Sequence, residues 1–331
     1  MCALNVDALL SAWSIDRPWT IQPALTGSNN LSYPVTTPSG HYVLRIHQNT
    51  ADPERVRYEH TVLTHLAQSA LSFAVPAPIP TRSGATLAPV PDDEERTLAA
   101  LFPLIAGRHP QGSAQQRRLC GRALAELDHA LARITLPAPP GTLTPFGSVT
   151  RIHPDPAVPQ PREMLESLPL EPTQRAQLTR VIGHLDAAVP MLYRSLPQQL
   201  VHRDFAASNV LMDGDRVTGV LDFEFAGPDL RVVDLARSLS QFTINPWSSP
   251  DGWQGVAAFA RGYRERAELG SHEAAALPDA MRLYRLMSLV HREGRRRRGL
   301  ASEEDVLARA QALLLQEEWL RERHQDLVQL L

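Results

Sequence analysis

Lysine is absent from the 331 residues, so every side chain with a fixed positive charge is an arginine. Cysteine is scarce too: Cys2 and Cys120 stand far apart and outside any ligand-spacing motif, which leaves neither a disulfide framework nor a zinc site. No apolar run approaches the roughly 20 residues needed to span a bilayer. The first residues, MCALNVDALLSAW, lack the basic start and long apolar stretch of a secretory signal. The expectation is a cytoplasmic protein without a membrane partner. A net charge of -3 gives no electrostatic footprint for nucleic acid. What is present is ordinary for a globular chain: 43% apolar and 21% charged residues, over a length that can bury two cores.

Two β-rich runs, Tyr33-Pro-Val-Thr-Thr and His41-Tyr-Val-Leu-Arg-Ile46, flank a Pro38-Ser-Gly40 turn and predict a hairpin. From Pro53 the period changes, and Val56, Val62, Leu63 and Leu66 fall on one helical face. The proline-punctuated segment Val75–Pro80 ends that helix, and Leu101-Phe-Pro-Leu-Ile-Ala-Gly107 reads as a strand running into a connector. Helices are expected beyond it at 114–134, 172–194, 251–268, 278–298 and 303–328, with short apolar runs between polar turns over 198–223. The Pro-rich stretch 137–161 reads as an irregular surface excursion. The fold class is α+β, with a β-rich lobe over 1–104 and a mainly helical lobe over 105–331.

The most informative segment is Leu200-Val-His-Arg-Asp-Phe-Ala-Ala-Ser-Asn-Val-Leu211, followed by Asp222 in Val-Leu-Asp-Phe-Glu224. Taken singly, His202 and Asp204 read as surface-turn residues and Asn209 as a turn cap. Together they form His-x-Asp-x4-Asn, then x12-Asp-x-Glu with β-type flanks, a far more specific pattern. Phosphoryl transfer needs an acceptor for the substrate hydroxyl proton and oxygen ligands for Mg²⁺. An Asp five residues before an Asn offers both from one loop, and a further Asp on the next hairpin can bridge Mg²⁺ to phosphates.

These segments resemble the corresponding loop and hairpin of the aminoglycoside phosphotransferase, choline kinase and homoserine kinase superfamily, whose fold is bilobal and protein kinase-like. The resemblance covers about residues 20–110 and 195–245. It implies ATP and Mg²⁺ as cofactors and a small-molecule alcohol as the other substrate. It implies Asp204 as the catalytic base, Asn209 and Asp222 as metal ligands, and Glu224 as a second acid near the metal. Asp234 would buttress the loop, and His202 would frame it as a packed residue. In the first lobe, Arg45 in Val43-Leu-Arg-Ile46 resembles the strand residue that holds the α- and β-phosphates, with Glu59 as its ion-pair partner. Arginine suits that task through its planar fork and permanent charge. Gly27, Ser28, Asn29 and Asn30 occupy the place of the phosphate-covering loop, although with one glycine.

Only Phe223-Glu-Phe-Ala-Gly-Pro-Asp-Leu-Arg-Val-Val233 separates Asp222 from Asp234, too short for a protein-kinase activation segment. A small acceptor is therefore expected, the resemblance implies one of homoserine-like amino alcohol or amino sugar type, and no partner for Arg203 is apparent. Glu224 and Asp229 are candidates for meeting an amine, Arg231 and Arg292 for meeting a carboxylate. Arg295–Arg298 reads as a solvated helix end, and Trp247 and Trp253 as packing residues. The alternative function is a non-catalytic nucleotide-binding regulator on the same fold.

Overall fold

Alternation along a strand sends successive side chains to opposite faces, and the first lobe is built on that rule. The computed structural model describes residues 6–26, 30–47, 52–91, 97–141, 143, 145–147, 157–242 and 250–331. After a short helix α1 (Val6–Leu10), an antiparallel sheet contains β1 (Thr20–Ile21), β2 (Leu25–Thr26), β3 (Asn30–Thr37), β4 (Gly40–His47), β5 (Ala88–Pro89) and β6 (Leu98–Pro103). The strand order is β1-β3-β4-β6-β5, with β2 also on β3. Pro34 falls where the neighbour of β3 changes from β1 to β2, a gap in the ladder that a residue without an N–H can fill.

One face of this sheet, with Val35, Leu44, Ile46, Ala99 and Leu101, packs on Leu9, Leu10 and Trp13. The other face, with Ala100 and Phe102, packs on the helix α2 (Pro53–Ala67) through Val62, Leu63 and Leu66. Arg45 lies between Leu44 and Ile46, so the pleat turns it toward the α2 face, opposite Ala100. Asp52 caps α2, accepting from the Glu54 N–H at 3.1 Å.

The remainder is mainly helical: α3 (Ala114–Leu131), α4 (Pro161–Ser167), α5 (Pro172–Ser195), α6 (Arg231–Phe242), α7 (Pro250–Arg264), α8 (Ser271–Arg297) and α9 (Glu303–Gln329). Between α5 and α6 lie β7 (Gln198–Val201), a 3-10 turn (Ala207–Asn209), β8 (Val210–Asp213), β9 (Arg216–Val220) and β10 (Gly227–Leu230). β8 pairs with β9, and β10 with β7. Helices α3 and α7 cross at glycines: a Cβ on Gly262 would meet the Arg118 carbonyl oxygen at 1.8 Å, and one on Gly121 the Phe259 oxygen at 2.1 Å.

Three expectations change. The helix expected from 278 begins at Ser271, because Glu273 reaches back to the Gly270 N–H at 3.0 Å and caps it there, leaving Pro278 inside. Helix α6 was not expected, since its sequence continues a loop-like segment; its apolar residues Val232, Val233, Leu235, Ala236 and Leu239 are all buried. The Pro-rich stretch is not merely a surface excursion. Leu143, Phe146 and Val158 are buried, and α4 adds Met164 and Leu165 to the core.

On α2, His60 places Nδ1 2.8 Å from Thr86 Oγ1 and meets the Phe102 ring edge-on at 5.6 Å. Burial first, and Arg45 second, lower its pKa to about 4. An unfolded histidine titrates near 6.5, so neutral His60 stabilises the fold above that pH, and the contribution is lost as pH falls toward 4. Urea unfolding of wild type and His60→Gln across this window should show their stability gap narrowing by up to about 1.4 kcal/mol per pH unit. A gap independent of pH would contradict the assignment.

Candidate active site

The loop 202–209 owes its shape to one carboxylate. Asp234, in the first turn of α6, is fully buried and accepts the N–H of His202 on Oδ2 at 2.8 Å and of Arg203 on Oδ1 at 2.9 Å. Burial pushes Asp234 up to about 7, opposed by those N–H bonds and by Arg237. Arg203 has φ +61°, a left-handed conformation that costs a side-chain-bearing residue roughly 1–2 kcal/mol. The pair of N–H bonds to Asp234 holds the backbone there.

His202 has one consistent tautomer. Its Nδ1 accepts the Asp204 N–H at 3.1 Å, so Nε2 carries the proton and donates to the Leu221 carbonyl at 3.1 Å. The ring packs against Phe223 at 4.4 Å, and burial lowers its pKa to about 4. A neutral, doubly engaged imidazole frames the loop and has no free lone pair with which to act as a base. Leu221 also donates its N–H to the Asn209 carbonyl at 2.8 Å, so the residue before Asp222 is stitched to the loop at both its polar groups.

Asp204 is held at both oxygens. Asn209 donates Nδ2 to Oδ2 at 2.7 Å and to the Asp204 carbonyl at 2.9 Å, while Arg237 pairs with Oδ1. With its amide nitrogen committed, Asn209 keeps Oδ1 as an available acceptor. Asp222 has φ +67°, which turns the chain sharply at the end of the hairpin. Burial raises its carboxyl to about 7, with repulsion from Glu224, Asp204 and Glu59 adding and Arg45 opposing. Across the cleft, Arg45 Nη1 lies 3.6 Å from Glu59 Oε1 and over the Phe102 ring at 5.2 Å. Glu59 is likewise raised to about 7, by burial first, against the pull of Arg45 and with the push of Glu224.

Asp222 thus feels the negative charges of Glu224, Asp204 and Glu59 against the positive charge of Arg45, and a divalent cation would relieve that repulsion. Among the described residues, no three His, Cys, Asp or Glu side chains converge on a common metal position.

Of the sequence candidates, Arg45, Glu59, Asp204, Asn209, Asp222 and Glu224 share this electrostatic neighbourhood. Asn30 opens β3, with Oδ1 buried and unpartnered, whereas Gly27, Ser28, Asn29 and Trp247 lie outside the described residues. Trp253 packs on Trp319 at 5.9 Å. In the Arg295–Arg298 run, Arg296 and Arg297 both pair with the buried carboxylate of Glu293, at 2.7 and 2.9 Å.

Arg203 does have a partner. Its guanidinium lies 3.0 Å from Asp229, the two side chains being 2% and 0% exposed, and stacks on Phe146 of the Pro-rich stretch at 5.1 Å. Asp229 further accepts the Phe146 N–H at 3.0 Å, the Leu230 N–H at 2.9 Å and the Tyr193 hydroxyl. Asp229 is therefore spent inside the protein and cannot meet a substrate amine. Arg231 is spent as well, forked onto Glu273 at 3.1 and 2.6 Å.

Two arginines escape a motif-based reading. Arg55 donates Nε and Nη2 to the Glu224 carbonyl at 3.2 and 3.0 Å, and its guanidinium lies over Phe225 at 5.1 Å, so α2 grips the turn after Asp222. Arg237 reaches Asp204. Their signal was helical spacing alone: Arg55 precedes Glu59 by four residues and Arg237 follows Asp234 by three, each pair on one helix face.

The sequence profile of the phosphotransferase enzyme family matches residues 20–271. A homoserine kinase of Methylobacterium radiotolerans is 30% identical over 81% of this chain and 78% of its own length. Another, of Sinorhizobium fredii, is 26% identical over 83% of this chain and 78% of its own length. Among solved structures, a microcompartment-associated aminopropanol kinase has a TM-score of 0.70 at 21% identity, covering 98% of both chains. An amicoumacin kinase in complex with AMP-PNP and Ca²⁺ has a TM-score of 0.69 at 16% identity, covering 95% of this chain and 92% of its own. The fold is the kinase-like fold of these proteins.

Replacing Asp229 by Asn leaves the buried Arg203 charge uncompensated, a loss of roughly 3–5 kcal/mol. Urea unfolding should show that loss, while Glu54→Gln, in the exposed pair with Arg57, should change stability by less than about 1 kcal/mol. Equal effects for the two variants would remove the buried pair from its structural role.

Proposed function

The chain belongs to the phosphotransferase enzyme family as a small-molecule kinase acting on a hydroxyl group, and we propose that it transfers the γ-phosphoryl group of ATP, with Mg²⁺, to a homoserine-like amino alcohol or an amino sugar. The observation that carries this reading is the clamp on Asp204. A carboxylate held at both oxygens, beside Asn209 and the turn bearing Asp222, is a fixed proton acceptor next to a place for metal-bound phosphate.

In this reading Asp204 orients the acceptor hydroxyl and receives its proton. The freed oxygen attacks the γ-phosphorus as the bond to the β-phosphate oxygen breaks. Arg45 holds the α- and β-phosphates, and Glu59 keeps its guanidinium aimed at them. Gly27, Ser28, Asn29 and Asn30 are assigned to the phosphates on their place in the sequence alone, and the lobe boundary to residues 104 and 105. Asn209 Oδ1 and the carboxylates of Asp222 and Glu224 would hold Mg²⁺, which when bound neutralises charge on the phosphate oxygens.

Asp229 and Arg231 are engaged inside the protein, and Glu224 is assigned to a substrate amine and Arg292 to a carboxylate on their place beside the turn after Asp222. Arg295 feels both, which brings this part of α8 close to the turn after Asp222. Phe225 meets His291 edge-on at 6.0 Å in the same place. One acid and one arginine suit a zwitterionic amino alcohol, and homoserine kinases stand among the relatives.

Mg²⁺-dependent ATP consumption, measured with homoserine, choline, an aminoglycoside and methylthioribose, should be stimulated most by homoserine or the aminoglycoside. Tight ATP binding without turnover on any acceptor would favour a nucleotide-binding regulator. Asp204→Asn should cut kcat by about 100-fold or more and leave the nucleotide Kd within about threefold. Near-normal turnover in that variant would remove Asp204 as the base.

A further inference from the structure

Arg237 is placed where only one of its tasks can be structural. Its Nε donates to the Arg203 carbonyl at 3.2 Å, and Nη2 pairs with Asp204 Oδ1. The guanidinium lies on the ring of Tyr284 of α8 at 5.2 Å from the centroid. Arg285 approaches the same ring at 5.8 Å and donates to Gln316 of α9 at 3.2 Å, so the aromatic plate is set between two buried arginines. The third nitrogen of Arg237, Nη1, is buried and has no hydrogen-bond partner among the described residues.

This arrangement is poor as a device for stability. A buried guanidinium with an orphan donor is costly, and an apolar side chain of similar volume in such a place is commonly neutral or better. Asp204 does not need the arginine as a solvation partner, since its side chain is 22% exposed. What the arginine does supply is direction. Nδ2 of Asn209 fixes Oδ2, but a carboxylate held at one oxygen can still swing about χ2. The second contact, from a planar fork whose own plane is set by Tyr284 and the Arg203 carbonyl, removes that freedom.

We propose that Arg237 is the positioning residue for Asp204, aiming its carboxylate at the acceptor hydroxyl through the Tyr284 plate rather than holding the fold together. The inference rests on Asp204 being the base. Arg237 acts on the acceptor side of the reaction, because its contacts are with the loop 203–204 and α8 and none is with Arg45, Glu59 or Asp222. Misplacing a reacting group by an ångström costs about 100-fold in rate.

The test compares Arg237→Met, Arg237→Ala and Asp204→Asn with wild type in the full chain. Arg237→Met should fold with a thermal midpoint within about 4 °C of wild type. Its kcat with the best acceptor should fall by about 100-fold, while the nucleotide Kd stays within about threefold of wild type. In Arg237→Ala the vacated space should admit guanidinium, and millimolar guanidinium chloride should restore at least about tenfold of the lost kcat. The same salt should do nothing for Asp204→Asn. If Arg237→Met unfolds, Tyr284→Leu keeps the arginine but removes its plate, and should lower kcat by about tenfold with the nucleotide Kd unchanged. Arg237→Met with kcat within about threefold of wild type, or a loss of stability that accounts for the whole loss of rate, overturns the proposal. An active Asp204→Asn instead overturns the reading of the base, so the two failures are distinct.

Discussion

The candidate active site hangs on two adjacent N–H groups finding one buried carboxylate. His202 and Arg203 leave β7 with their amide hydrogens pointing the same way, and Asp234 accepts both. Without that acceptor the left-handed turn at Arg203 has nothing to hold it, and two buried donors go unmet. Once it is held, the His202 ring falls between Leu221 and Asp204, and the Asn209 amide falls on the Asp204 carboxylate. Loop and hairpin are then one rigid object, tied through both polar groups of Leu221.

Around this object the charges fall into two kinds. Buried pairs such as Arg203 with Asp229 are closed systems, satisfied within the protein and inaccessible to any ligand. The cleft differs: Glu224, Asp204 and Glu59 repel Asp222, and burial pushes Asp222 and Glu59 up to about 7. In the proposed reaction a cation and phosphates would relieve that repulsion.

A chain without lysine must do by geometry what an ammonium does as a point charge. Arg45 meets Glu59 and lies on Phe102, Arg203 lies on Phe146, Arg55 on Phe225, and Arg237 on Tyr284. Each guanidinium therefore has a ring to define its plane and an oxygen to define its direction. Phe146 belongs to the Pro-rich stretch, which explains why a segment that reads as surface decoration enters the core.

Asp204, Asn209, Asp222, Arg45 and Glu59 stand out in the sequence because each sits in a short motif, and the structure brings Asn209 onto the Asp204 carboxylate and Arg45 to within 3.6 Å of Glu59. The β hairpin and the longer helices were legible from periodicity, since burying one face is a local consequence of where apolar residues recur. Helix α6 was not, because its start is set by the pairing of β10 with β7 and by what Asp234 must reach, both distant in sequence. Nor were the engagements of Asp229, Arg231, Arg55 and Arg237. A charged side chain looks the same in a sequence whether it is free for a ligand or committed to a residue far along the chain. Local spacing and periodicity determined the class of enzyme and the fold class. Only the tertiary structure decided which charges are spent inside the protein and which are left to act, because that depends on distances between residues that the sequence keeps apart.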